Sequence, residues 1–257
     1  MALRVDHIIV SVRDLENAIS EFTKKGFAVS PGGSHKGGIT HNALIHFQDH
    51  TFMELISFTS GMKSMFVRFL CSSGILKYFR WIPRIRSAYR ILERMSKENE
   101  GMIDLCMVSD SFPNDLNAMM EEGLSMASAV EFHRTLSDGT KISWQMGMPD
   151  FHLLPFFRSE YLPVQSVPEE MTQHPNGIVG LDRIIVFTEN PKKTAEHYQA
   201  FLRISPDVQV GENQKIVSFS TTPAEIHIVS PPPEDLKQTN DGVGLFAVKF
   251  REISENN

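Results

Sequence analysis

Two polar side chains interrupt apolar, strand-like runs early in the chain. His7 lies within Val5-Asp6-His7-Ile8-Ile9-Val10, and Glu54 lies within Phe52-Met53-Glu54-Leu55-Ile56. A carboxylate in such a run is costly unless it is paired, solvated or bound to a metal. Imidazole and carboxylate both ligate first-row divalent metals, and both move protons near neutral pH. His35, His41 and Asn42 come next. They flank the expected third strand, and the glycines around His35 in the stretch 31–38 let the backbone approach a ligand closely. His35 and Asn42 are candidate substrate contacts, with an exposed loop residue and a strand-end cap as the plainer readings. His41 and Glu54 are candidate proton carriers. Trp144, Phe156 and Phe157 are expected in the core or on an apolar pocket wall. His46, His50, His133, His174 and His197 read as surface or turn residues.

Several chemistries are excluded. The sequence has no Gly-x-Ser-x-Gly elbow, no Walker-type phosphate loop and no dinucleotide fingerprint. Cys71 and Cys106 are too few for a disulfide framework and sit in apolar runs, so buried free thiols are expected. A net charge of −6 argues against general affinity for nucleic acid. No signal peptide and no membrane-length apolar run is visible, and with reduced thiols this makes a cytoplasmic protein the expectation.

The elements that must position these residues follow a repeated order. The first strand leads to a helix capped by Asp14, with Leu15, Ala18, Ile19 and Phe22 at helical spacing and Gly26 at its end. A short strand at 27–29, the glycine-rich link and strands at 41–47 and 51–58 complete a βαβββ module. A second copy opens at Met102, where Asp104 repeats the position of Asp6. It continues with a helix near 114–122 and strands at 141–148 and 151–157. A third opens at Gly180, with a helix from about Pro191 to Phe201 and strands at 215–219 and 225–229. A strand at 243–250 reads as the start of a truncated fourth copy. Residues 1–158 are therefore expected to form a first module pair, 159–176 a linker, and 177–257 the third module with the truncated fourth.

An insertion at about 59–100 breaks the repeat. It carries nine basic and three acidic residues, interleaved with apolar ones. Three readings are open. It is a helical hairpin whose apolar stripe covers the first module while its charges face water, a lid presenting Arg80, Arg84 or Arg86 to an anionic substrate, or a contact for an acidic membrane surface.

The segments VDHIIVSVRDLENA, HKGGITHNALIHF and FMELISF, with SDGTKISWQM, LLPFF and HPNGIVGLDRIIVF further on, resemble the glyoxalase-like branch of the vicinal-oxygen-chelate superfamily. The resemblance implies an α+β fold of repeated βαβββ modules paired into curved mixed sheets around a pocket. It also implies that strands one and four are neighbours, so that His7 and Glu54 project into one hollow and hold a divalent metal of unassigned identity. The plainer alternative is a buried His7–Glu54 hydrogen bond. In the simplest module pairing, Leu105 and Leu153 stand opposite His7 and Glu54, and neither binds a metal. His152 is turned to the other face by strand alternation. Pairing modules one and three would instead bring His227 to His7 and Glu54, a set like a facial triad, although consecutive modules usually pack together.

Two functions follow from the resemblance. One is a metal-dependent lyase, isomerase or dioxygenase acting on a small oxygenated molecule. The other is a non-catalytic protein that sequesters a small molecule in an apolar pocket. The expected partner is a small-molecule substrate, anionic if the insertion's arginines face it. A homodimer is left open, and nucleic acid and membrane are not expected partners.

Overall fold

A computed structural model of the chain describes residues 3–35, 37–79, 82–97, 100–135, 139–210, 215–230 and 246–253. The first module runs β1 (Arg4–Ser11), α1 (Leu15–Lys24), β2 (Ser30–Ser34), β3 (Thr40–His46) and β4 (Phe52–Phe58). The Asp14 side chain accepts the Asn17 N–H and caps α1, and Gly26 leaves the helix at φ 81°. The short strand expected at 27–29 lies instead at Ser30–Ser34, inside the stretch read as a link. Its glycines allow this. A Cβ on Gly32 would meet Asn42 Oδ1 at 2.1 Å, so only glycine lets β2 lie this close to β3.

The insertion forms α2 (Met62–Ser72), a 3-10 helix (Ile75–Phe79) and α3 (Pro83–Lys97). The second module follows as β5 (Gly101–Ser109), α4 (Phe112–Glu121), β6 (Val130–Thr135), β7 (Lys141–Gly147) and β8 (Phe156–Ser159). Two expectations change here. Residues 151–155 form turns rather than strand, so β8 starts later than the apolar run suggests, and Leu153 and His152 have no strand register at all. β6 was not anticipated, although Val130 and Phe132 alternate with Glu131 and His133 as a half-exposed strand requires. The third module has β9 (Ile178–Phe187), α5 (Pro191–Leu202), β10 (Asp207–Val210), β11 (Lys215–Phe219) and β12 (Glu225–Ser230), and β13 (Phe246–Glu252) follows. Residues 243–245 of the expected last strand lie outside the described residues.

The strands form two curled mixed sheets, ordered β2-β3-β4-β1-β5-β8-β7-β6 and β10-β11-β12-β9-β13. β1 lies parallel to β4 and antiparallel to β5, so modules one and two share a sheet and module three does not join them. One apolar core unites the helix-bearing faces. It contains Ile8, Leu55 and Leu105 from the first sheet, Leu15, Phe112 and Phe201 from α1, α4 and α5, and Ile184 and Ile226 from the second sheet. Two details lock the sheets together. The Val5 N–H donates to the Thr222 carbonyl, and the Asp49 carboxylate accepts the Leu181 N–H.

The opposite, inner face of the first sheet carries a separate cluster of Ile9, Ile56, Ile103, Cys106, Met146 and Phe156, against which Met95, Ile91 and Leu92 of α3 pack. The insertion thus does cover the module, but not with all its charges in water. Arg90 and Arg94 are buried and both pair with Asp104 of β5, Arg90 at 2.5 Å and Arg94 at 3.1 Å. Two cations converging on one desolvated carboxylate fix the position of α3. Arg80 and the side chains of Arg84 and Arg86 lie outside the described residues.

Candidate functional site

The site begins with an irregularity in β1. The register with β5 shifts between Val5 and His7, which leaves Asp6 as an extra residue. Such a bulge re-aims side chains, and here Asp6 and His7 both reach the inner face. It also alters the expected pairing: Cys106, not Leu105, stands across from His7, and Leu105 joins the helix-side core. Arg158 at the end of β8 grips both oxygens of Asp6 at 2.7 and 2.8 Å. Asp6 in turn accepts the His7 Nδ1–H at 2.6 Å. Burial alone would raise the Asp6 pKa, but Arg158 and His7 together hold it well below the ordinary carboxylate range. The Arg158 guanidinium stacks on the Tyr161 ring at 3.9 Å. Burial pushes the Tyr161 hydroxyl pKa up, so it stays protonated.

With Nδ1 committed, His7 presents Nε2 to the strand beside it. Glu54 Oε2 lies 3.8 Å from that nitrogen, beyond hydrogen-bonding distance, so the simple His7–Glu54 bond is not made. Glu54 Oε1 accepts from Asn42 Nδ2 at 2.6 Å and lies 3.4 Å from His35 Nε2. The Thr40 hydroxyl steadies His35 through Nδ1 at 2.9 Å. Burial would raise the Glu54 pKa, yet His35, then His7 and Asn42, hold it down at about 2. Glu54 is therefore an ionised carboxylate. Phe52 stacks on the His7 ring at 4.3 Å, and Phe156 meets it edge-on at 5.8 Å, which closes two sides with apolar walls.

The structure brings together His7, Glu54, His35 and Asn42. It does not bring in His41, because β3 alternation turns that residue away from the face on which Asn42 meets Glu54. His227 lies in the other sheet, bonded to Glu225 at 2.8 Å. Trp144 stands further along the inner face, between Phe132 and Tyr161. Asp6, Arg158 and Tyr161 were missed from sequence. Asp6 was visible beside His7, whereas Arg158 and Tyr161 sat at the edge of the stretch read as a linker. His174, expected at the surface, is buried, accepts the Ala28 N–H through Nδ1, and has its pKa lowered by burial. His46 is half-buried, with its pKa lowered for the same reason. Cys71 and Cys106 are buried free thiols, as expected.

Among the described residues, two donor sets could receive a cation. Asp6, His7 and Cys106 lie within 4.8 Å of one another, but both Asp6 oxygens are taken by a buried guanidinium and burial holds the Cys106 pKa well above its ordinary value. The edge between His7 Nε2 and Glu54 Oε2, 3.8 Å apart, suits a divalent ion better, because atoms bound to one ion at about 2.1 Å stand roughly 3–3.5 Å apart. His35 Nε2 faces the other Glu54 oxygen at 3.4 Å and does not converge with this pair as a third donor. A carboxylate fixing the far nitrogen of a ligand imidazole is the usual outer-shell support.

A glyoxalase-like domain model matches residues 5–202, which is most of the chain. The chain belongs to the glyoxalase-like domain family. Among solved structures, this glyoxalase-like protein is similar to a hypothetical protein from Staphylococcus aureus, with TM-score 0.59 and 16% identity over 88% of this chain and 85% of that one. It is also similar to a variant of 4-hydroxymandelate synthase from Streptomyces coelicolor, with TM-score 0.56 and 13% identity over 96% of this chain and 70% of that one. These likenesses support the vicinal-oxygen-chelate fold. Among curated protein sequences nothing matches the glyoxalase-like chain.

Proposed function

We propose that the glyoxalase-like protein is a metal-dependent enzyme acting on a small molecule with two adjacent oxygens, with its centre at His7 and Glu54. The reaction class spans lyase, isomerase and dioxygenase chemistry. His7 Nε2 and Glu54 Oε2 would hold a divalent ion, while His35 and Asn42 hold the other Glu54 oxygen and orient the carboxylate. Once bound, such an ion polarises substrate oxygens and stabilises negative charge that develops on them.

The chain's own residues set the conditions for this. Arg158 keeps Asp6 ionised, and Asp6 fixes the His7 tautomer so that the Nε2 lone pair faces Glu54. Asn42 anchors one Glu54 oxygen and leaves the other free. Phe52 and Phe156 exclude water from the His7 ring and strengthen the electrostatics beside it. The observation that carries the reading is the oriented Arg158–Asp6–His7 relay, which ends on an ionised carboxylate that His7 does not hydrogen-bond. The fold alone would not license a function.

Metal analysis by plasma mass spectrometry tests the reading. The purified protein, reloaded in turn with manganese, iron or zinc, is expected to retain a stoichiometric ion through gel filtration and to lose it to a chelator. His7→Ala and Glu54→Ala should each abolish retention, whereas His227→Ala should leave it intact. Retention unchanged in all three variants would refute the centre.

The apolar inner-face cluster under α3 favours a second reading, a protein that sequesters an apolar small molecule. Metal-free protein whose ligand binding survives both His7→Ala and Glu54→Ala would support it.

A further inference from the structure

Helix α2 is built inside out. Met62, Met65, Phe66 and Phe69 recur at the spacing of a single helical face, and that face is the exposed one, at 87, 67, 61 and 61% exposure. The buried side is made by Ser64 and Cys71 instead. The Ser64 hydroxyl donates to the Ile39 carbonyl at 2.8 Å, which ties the polar side down on the first module. Ile75 and Phe79 of the following 3-10 helix are also exposed, at 42 and 44%. Isolated exposed apolar residues need no explanation, but a contiguous helical stripe does. Lys63 and Arg68 are exposed and lie to either side of the stripe at 100° per residue.

Charge identifies the occupant. The whole chain carries −6, yet residues 59–100 hold nine basic and three acidic residues. Two of the nine, Arg90 and Arg94, are spent on Asp104. An apolar stripe bordered by cations, on a segment charged opposite to its own protein, is the surface of an interfacial helix. We propose that α2 docks this protein onto an anionic lipid bilayer, with Met62, Met65, Phe66 and Phe69 entering the acyl boundary and Lys63 and Arg68 on the headgroups. The contact is peripheral, since no helix among the described residues is long and apolar enough to cross a membrane. It does not depend on the metal centre.

The test is co-sedimentation of the full chain with phosphatidylglycerol-containing vesicles and with pure phosphatidylcholine vesicles. Binding is expected to the anionic vesicles only, and to weaken as salt is raised. Phe66→Ser with Phe69→Ser should lower partitioning by at least about tenfold, and Lys63→Glu should lower it less. All three positions face solvent, so an unchanged thermal melt and unchanged metal retention are expected and show that the fold survives. Equal binding to both vesicle types, or none to the anionic ones at low salt, overturns the proposal. A concentration-dependent dimer that the double serine variant disperses would show that a second copy covers the face, and would overturn it equally.

Discussion

The two sheets use the same strand pair for opposite ends. In the first, β1 and β4 lie parallel and carry His7 and Glu54, with side chains only 7 and 12% exposed. In the second, β9 and β12 lie parallel and carry Arg183, Glu225 and His227, at 33, 47 and 15%. Both sets contain a histidine, a carboxylate and a neighbouring arginine. The first is drawn into a desolvated relay, with α3 packed on the same face of the sheet. The second is a half-wet surface cluster whose Arg183–Glu225 contact is 3.7 Å long. Residue type therefore does not separate a site from a surface. The surroundings do, because the same charges interact far more strongly where water is excluded.

Breaking the relay should have the largest effect. Arg158→Ala leaves Asp6 as a buried carboxylate without its bidentate partner, and losing one member of such a pair destabilises by about 3–5 kcal/mol. Urea denaturation should show the midpoint falling accordingly. Combining Arg158→Met with Asp6→Leu should recover much of the loss, because removing both charges leaves nothing stranded.

A somewhat smaller effect should appear with pH. In chelator-treated protein, Glu54 titrates at about 2 when folded, against an ordinary value of 4.5. Its contribution is complete above roughly pH 5 and disappears as the pH falls towards 2, for a total of roughly 3 kcal/mol. Glu54→Gln should flatten that part of the stability–pH curve while leaving the region above pH 6 parallel to wild type. An unchanged acid limb would mean that Glu54 is not held ionised by His35 and His7.

Much of the fold was legible because apolar periodicity survives repetition. The three openings around His7, Asp104 and Asp182, the helix cap at Asp14 and the first-turn Pro191 are local signals, and the strands and helices follow from them. Errors arose where backbone geometry decided. Gly32 permits a strand in a stretch that looks like a linker, and the bulge at Asp6 shifts the register so that Cys106 replaces Leu105 beside His7. His7, Glu54, His35 and Asn42 could be named from sequence as polar residues in or beside apolar strands. Arg158 could not, because its meaning lies in a contact 152 residues away with Asp6. His41 was chosen for its place beside the third strand and His227 for its matching position in the third module, and one strand alternation and one sheet boundary remove them from the cluster.

The smallest effect should come from the second sheet, and it is the sharpest control on the comparison. The His227–Glu225 bond of 2.8 Å is short, and with Arg183 it lowers the Glu225 pKa. Read by geometry alone, it would look as important as Asp6–His7. Glu225 is nearly half exposed, however, so water replaces most of what His227 supplies. His227→Ala should therefore change unfolding stability by no more than about 0.5 kcal/mol. The measurement is a urea midpoint at pH 7, taken beside Arg158→Ala under the same conditions. A loss from His227→Ala close to that from Arg158→Ala would show that solvent exposure does not divide the two sheets. Polar chemistry in the third module would then have to be treated as a second site in its own right.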